Sequence, residues 1–531
     1  MTDAGRVLPG DGAGQAGTGH AGQAGTGHAG QAGRTWEMVV GLEVHTELKT
    51  ATKLFCGCAN LFGDEPNTRV CPVCLGLPGS LPVLNQRAVE LAMAIGTALH
   101  CEIRPSTFHR KNYFYPDMPK DYQISQYDEP INVSGWLQLP GGRRIGIERA
   151  HLEEDTGKTA HAGTSGRIHG AEYSLVDYNR SGVPLVEIVS APDMRSSAEA
   201  RAYAAELRAI LVACGASDGK MEEGSMRVDA NVSVRPGPDA PFGTRCEIKN
   251  LNSLRSLGRA VDYEARRQIA LLESGEVVVQ QTRHWDEGAG RTVALRSKEE
   301  AYDYRYFLEP DLVPVVPDQA WITAVGASLG PMPAERRERL AALVASGPPV
   351  GDGGSPDPGT ATGPDGSPGV SDAEQEQIST VVDLGLDGLV TAAVEGGIPA
   401  RLALARTANE AATDAVAAAG LDPRAYTSLL AMEVAGTLSA TQVKAVLHDL
   451  LAHGGGDPAE LARARGFEAM ADGALVAVVR EAVDSHPDEW DRYRGGEEKL
   501  AQFFVGQVMK ATRGQANGKA VVAELERLAS R

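Results

Sequence analysis

The hydrophobic pattern of this chain changes period part-way along, and that change limits the folds open to it. Up to about residue 320, two-residue alternation and helical spacing succeed one another. Met38 to Glu47 alternates as a strand, and Pro82 to Leu99 carries apolar residues at helical spacing. Strand-like pieces follow at Ser174 to Tyr178 and Val183 to Val189. Ala198 to Cys214 reads as an Ala-rich helix stopped by Gly215. Val228 to Arg235 alternates again, and Asn252 to Ser274 reads as a long helix. Beyond Pro331 the strand signal fades and Ala-rich helical spacing takes over. The pattern predicts a large α+β (mixed α/β) N-terminal domain followed by all-α regions.

A chain of 531 residues has length for more than one domain. Residues 1–34 read as a Gly-rich tail. The unit Ala-Gly-Gln-Ala-Gly-Thr-Gly-His runs from Ala13 to His20 and again from Ala21 to His28. Such sequence offers no apolar face and has a high ordering entropy, so disorder is expected there rather than a histidine metal site. Gly347 to Gly369, rich in Gly, Pro, Ser and Asp, reads as a flexible insert. Asp422 with Pro423 marks a helix start and a second break. The expected division is 1–34, 35–320, 321–420 with the insert 347–369, and 421–531.

The formal net charge of −19 argues against non-specific attraction to nucleic acid, but not against a local basic patch. Lys499 to Lys519 holds Lys510 and Arg513 and no acid. It reads either as a phosphate-backbone contact or as a helix end with solvated cations. No apolar run is long enough to span a bilayer, and the N-terminus lacks a secretory h-region. A cytoplasmic protein with no membrane contact is expected. Seven cysteines, an odd number without a secretory signal, argue against a disulfide framework.

Residues that could carry chemistry cluster early. Aromatics make up only 5% of the chain, yet Tyr113, Phe114 and Tyr115 stand in succession after His109, Arg110, Lys111 and Asn112. Tyr122 to Asp128 follows, and Pro116 and Pro119 interrupt any regular element between. The run is either a surface loop packed down by its rings or a binding wall with cations for phosphate and rings for a flat group. Glu43 and His45, two apart on a strand, share a face. They read as an exposed polar face or as a metal-sharing pair. Arg227, Asp229, Asn231 and Ser233 likewise alternate along one strand face. Cys56, Cys58, Cys71 and Cys74 form two close pairs on one loop, which suits tetrahedral structural Zn²⁺ or four reduced thiols. No G-x-x-x-x-G-K-[ST] loop is present, so nucleotide binding would need another device.

Several long strings, in order, resemble the GatB family, the B subunits of tRNA-dependent amidotransferases. They are Gly41 to His45, Cys71 to Gly79, Arg110 to Asp117, Tyr122 to Asp128, His151 to Asp155, Met221 to Ser225, Glu247 to Ser253 and Phe504 to Lys510. The resemblance implies a cradle-type catalytic domain, a helical domain and a small YqeY-like C-terminal domain that contacts tRNA. It implies an ATP-dependent ligase subunit that phosphorylates the side-chain carboxylate of Glu-tRNA(Gln), with Asp-tRNA(Asn) as a second substrate. Ammonia would come from the A subunit, and the C subunit would complete a heterotrimer. The resemblance implies Mg²⁺ held by Glu43, His45, Glu154 and Glu187, of which Glu154 and Glu187 act in catalysis with Lys111. Arg110, Lys111, Arg227 and Lys249, with Asn250 beside it, would face ATP. Competing readings are a non-catalytic tRNA-binding scaffold and a free-standing carboxylate-activating ligase. One departure is Leu308, where the family pattern has proline.

Overall fold

The structure, a computed structural model, describes residues 35–162, 171–295, 304–347, 369–467, 472–512, 516 and 518–530. The tail 1–34, residues 348–368 of the insert, Arg513 and the side chains of Asn250 and Lys519 lie outside the described residues.

The strands are β1 (Glu37–Glu47), β2 (Glu102–Ile103), β3 (His109–Asn112), β4 (Tyr122–Ser125), β5 (Asn132–Gln138), β6 (Arg144–Glu154) and β7 (Lys158–Ala162). They continue with β8 (Tyr173–Asp177), β9 (Pro184–Ser190), β10 (Met226–Arg235), β11 (Cys246–Leu251), β12 (Thr282–Asp286), β13 (Arg291–Ala294) and β14 (Phe307–Leu308). Among the described residues twelve of them form one sheet in the order β13-β12-β11-β10-β1-β9-β6-β4-β3-β14, with β5 on β6 and β2 on β5. The β7–β8 hairpin stands apart. The pairings are antiparallel except for β11 with β12.

Strand parity divides the sheet into two faces. On one, Val40, Leu42 and Val44 of β1, Ala150 and Leu152 of β6, and Val186 and Ile188 of β9 are buried in a continuous core. Three helices supply much of the rest of that core: α1 (Gln86–Ala98), α2 (Ser197–Ala213) and α3 (Leu254–Glu273). Each starts where a side chain accepts free N–H groups: Asn85 for Arg87 and Ala88, Ser196 for Glu199, and Ser253 for Ser256. Each such cap contributes about 1 kcal/mol. Leu91 and Ile95, Tyr203 and Leu207, and Leu257 and Val261 lie at helical spacing and are buried. The opposite sheet face keeps its polar residues and forms the wall described below.

Among the described residues the remainder is helical, as the fading alternation predicts. It begins with α4 (Gln319–Ala327), α5 (Pro333–Ser346) and α6 (Asp372–Asp383). Arg337 of α5 joins the two regions: its guanidinium pairs with buried Glu206 of α2 and lies 3.1 Å from Asp383 of α6. The helix Pro423–Val434 starts at Asp422, which accepts the Arg424 N–H. One core runs from Leu340 through Leu429, Leu430 and Leu447 to Ala462, so packing crosses the break expected near Leu421. A separate cluster joins Val479, Phe504, Val508, Val521 and Leu525. Among the described residues no single helix is long and apolar enough to cross a membrane.

Candidate active site

The middle of the polar face is built from three neighbouring strands. His45 of β1 pairs across from Glu187 of β9, and Glu187 pairs across from His151 of β6. Paired residues project to the same side, so the three side chains converge, and the two-residue period adds Glu43 and Glu153. His45 Nε2 lies 3.5 Å from Glu187, 3.6 Å from Glu43 and 3.9 Å from Glu153. Arg149 reaches Glu187 at 3.2 Å from the same face of β6.

Burial and charge act against one another here. Burial opposes a charged imidazole at His45, but the hydrogen bond and charge of Glu187 and the charges of Glu153 and Glu43 override it, and its pKa stands at about 9. Burial also opposes the Glu187 carboxylate, yet His45 and Arg149 hold it well below the usual carboxylate range. Glu153 is pushed up to about 7 by burial and by Glu187. Burial and Glu187 raise Glu43 too. Burial brings His151 down to about 4, and neither of its ring nitrogens has a hydrogen-bond partner among the described residues.

Such a cluster fits a divalent cation. Glu43, His45 and Glu187 each bring a ligand atom within 4.8 Å of the others, and so do His151, Glu153 and Glu187. Three carboxylates supply the hard oxygen donors that magnesium prefers. The unpartnered imidazole of His151, fully buried beside them, is the kind of polar group that a bound ion would satisfy.

Cations and rings border the cluster. Lys111 of β3 lies opposite Gln123 of β4, on the face that carries Glu153, and its ammonium sits 4.8 Å from the Tyr304 ring centre. Asn112 fixes the aromatic segment by donating to the Tyr304 and Arg305 carbonyls at 2.9 and 2.8 Å. Tyr306 stacks on Tyr127 at 5.2 Å, and Arg149 lies 4.7 Å from the Tyr127 ring centre. On the other flank Arg227, opposite His45, binds Asp155 at 2.6 Å. Lys249 lies 3.1 Å from Asp229 and 3.0 Å from Glu247.

Of the expected site residues, the structure gathers Glu43, His45 and Glu187, and places Lys111, Arg227 and Lys249 on the same face. It does not bring Glu154 there. Glu153 and Glu154 are successive strand residues and point to opposite faces. Glu154 is buried on the back, 2.5 Å from Lys120, and Glu153 occupies the place expected for it. Arg110 is also turned away: its guanidinium makes two bonds, at 2.6 and 2.8 Å, to fully buried Glu309 and lies over the Tyr122 ring. Exposed Leu308 pairs with His109 in β14 and belongs to neither group. His151, Arg149, Tyr304 and Tyr306 had no assigned role in the sequence. Parity along β6, counted through 149, 151 and 153, is the signal for the first two.

The four cysteines lie behind the sheet. All four Sγ atoms are within 4.8 Å of one another, and Cys71 and Cys74 are 3.9 Å apart. A tetrahedral ion with Zn–S bonds of about 2.3 Å sets sulfurs about 3.8 Å apart. The hydrogen bond shared by Cys56 and Cys74 lowers the Cys74 thiol to about 5 and pushes Cys56 up, and burial raises Cys58 to about 11, so it is the sulfur spacing that bears on a metal. The quartet therefore fits zinc.

Residues 38–323 match the GatB/GatE catalytic domain, and residues 401–528 match the GatB domain that carries the YqeY name. An aspartyl/glutamyl-tRNA(Asn/Gln) amidotransferase B subunit from Frankia casuarinae is 49% identical over 504 residues, covering 92% of this chain and 94% of that protein. The protein of the same name from Salinispora arenicola is 48% identical, covering 92% and 95%. That from Gloeobacter violaceus is 46% identical over 92% of this chain and 85% of its own length. The match runs through the polar face and the helical region alike, and the chain belongs to the GatB/GatE family.

Proposed function

We propose that this protein is the B subunit of a glutamine-dependent tRNA amidotransferase. It phosphorylates the side-chain carboxylate of Glu-tRNA(Gln), and of Asp-tRNA(Asn) as a second substrate, and completes the amide with ammonia from the A subunit. The observation that carries the reading is the meeting of two ligand groups, Glu43–His45–Glu187 and His151–Glu153–Glu187, at the shared Glu187, with Lys111 on the same face. When bound there, Mg²⁺ would offset charge on transferring phosphate oxygens. Lys111 would meet ATP phosphates, and Arg227 and Lys249, which line the opposite flank, support that reading. The rings of Tyr127, Tyr304 and Tyr306 offer flat faces for a base. Holding both reactants on one wall favours capture of the acyl phosphate by ammonia over water.

The cysteine quartet would hold a structural zinc. The A and C subunits, tRNA and a cytoplasmic setting belong to the same proposal. So does the working division into a cradle, 35–320, a helical region, 321–420, and a tRNA-binding tail, 421–531, although packing joins the second region to helices after Leu421. The test is co-purification with the partner subunits, followed by an assay of misacylated tRNA with ATP and glutamine. Amidation of Glu-tRNA(Gln) is expected. A complex that amidates neither Glu-tRNA nor Asp-tRNA would overturn the reading, and ATP turnover with a free acid and no tRNA would favour a free-standing ligase.

A further inference from the structure

We propose that Lys120 and Glu154 form a positioning pair that sets the spacing between the carboxylate cluster and Lys111. The proposal rests on the divalent-ion reading of that cluster. Its starting point is a weak seam in the sheet. Strand β4 carries β3, and hence Lys111, while β6 carries His151 and Glu153. Yet β4 and β6 share a single paired position, Ser125 with Glu153. Side chains close the seam in place of a longer ladder. Glu154 Oε1 accepts the Ile124 N–H of β4 at 3.0 Å, and Gln123 donates to the Glu154 carbonyl at 2.8 Å. Gln126 works from the other end: its N–H donates to the Leu152 carbonyl, and its Oε1 accepts the Leu152 N–H, both at 3.0 Å.

Lys120 holds Glu154 in that role. Its ammonium lies 2.5 Å from the same Oε1 that accepts Ile124, and both side chains are nearly inaccessible, at 7% and 2%. The lysine stem is clamped from outside by the cysteine loop. A Cβ on Gly76, at φ +66°, would fall 2.4 Å from Lys120 Cγ. Behind the carboxylate, Gly182 sits among Cys74, Lys53 and Glu154, and its carbonyl accepts the Leu54 N–H at 2.9 Å. A buried ion pair adds little stability over an apolar pair of similar size, so its contribution here is to fix geometry. Because Glu154 is the neighbour of Glu153, a shift of one moves the other. The cysteine loop thus acts on the front cluster through two adjacent residues of one strand.

The test uses the full chain and titrates Mg²⁺, alone and with ADP, into wild type and the double variant Lys120→Met with Glu154→Met. Replacing both partners avoids leaving a lone buried charge but removes the acceptor of the buried Ile124 N–H, so a folded variant with a modestly lower melting temperature is expected. Mg²⁺ affinity should nevertheless fall about tenfold, as when supporting contacts of metal ligands are lost. ADP should gain less from Mg²⁺, because Lys111 and Glu153 no longer keep their spacing. A folded double variant with wild-type Mg²⁺ affinity would overturn the proposal. If the double variant fails to fold, Gly76→Ala, in an exposed loop, presses on Lys120 and adds left-handed backbone strain beside the cysteines, so its Mg²⁺ affinity is read on samples that keep their zinc. A weaker Mg²⁺ affinity in that variant supports the proposal, and an unchanged one rejects it. Wild type that binds no Mg²⁺ would reject the divalent site itself, and the positioning role with it. Zinc content, read by elemental analysis on the same samples, separates loss of the strut from loss of the quartet.

Discussion

The carboxylate cluster and the cysteine quartet lie on opposite sides of one sheet and are assembled in opposite ways. The cluster draws on three regular strands, with Glu43 and His45 from β1, His151 and Glu153 from β6, and Glu187 from β9. The quartet comes from one irregular stretch between β1 and α1, Cys56 to Cys74. The first is rigid because its ligands stand on hydrogen-bonded ladders; the second can close only when its loop is tied together. Chemistry needing fixed geometry therefore suits the front, and a structural role suits the back. Four predictions test that division.

Glu187→Gln should have the largest effect. Glu187 touches both His45 and Arg149 and is the one carboxylate shared by both candidate ligand groups. Losing its charge should reduce amidation of Glu-tRNA(Gln) by about 10²–10³-fold in kcat, the scale of removing one placed electrostatic group. The assembled complex should still form. If the variant activates Glu-tRNA at the wild-type rate, the front cluster is a scaffold and the division fails.

Next comes a pair of neighbours. Glu153→Gln should cost about 10–100-fold in Mg²⁺ affinity. It should not lower the melting temperature, because burial and Glu187 already disfavour the charged form. Glu154→Gln should chiefly lower stability, since it leaves the Lys120 ammonium buried without its partner, a change that destabilises by about 3–5 kcal/mol, and should lower Mg²⁺ affinity by about tenfold through loss of the positioning pair. Thermal unfolding and metal titration on both variants give the comparison directly. Equal losses of stability would show that the two faces are not separate.

How much of this was legible in the sequence follows from the same contrast. The grouping of the four cysteines could be read directly, because they are close in the chain and need no knowledge of the fold. The strands and helices of the N-terminal region were legible too: β1, α2, β10 and α3 fall where alternation or helical spacing placed them. Glu43 and His45 were visible as a pair. Glu187 was reached only through the family resemblance and His151 not at all, because it is the register of β1 with β9, and of β9 with β6, that brings them to the pair. The choice of Glu154 over Glu153 turned on parity in an acidic run, where the burial of Leu152 and Ala150 decides which side faces the core. Arg110 was misplaced for a similar reason, since nothing near it in sequence announces Glu309, which lies on the far side of the aromatic segment. The break near Leu421 was read from a helix start, and a helix can start without ending a core.

The third prediction concerns pH. His45 carries a folded pKa of about 9 against an ordinary 6.5. Its contribution to the metal-free fold is fully present below about 6.5 and is lost as pH rises through about 9. A metal ligand must give up that proton, so Mg²⁺ affinity should rise over the same interval, approaching about tenfold per pH unit. Calorimetric titration between pH 7 and 9 reads it. A flat profile would remove His45 from the ligand set and leave the three carboxylates.

The smallest effect is expected at the junction of the two sites. Gly182 has φ +84°, and a Cβ there would meet Cys74, Lys53 and Glu154 at 3.6 to 3.8 Å, ordinary contact distances. Gly182→Ala should therefore cost only the left-handed backbone strain, about 1 kcal/mol. Zinc content and Mg²⁺ affinity should both be unchanged, because nothing has to move to admit the methyl group. A loss of either metal in this variant would mean that the space between thiols and carboxylate is tighter than contact distances allow. Front and back would then be coupled at Gly182 as well as through the Lys120–Glu154 pair.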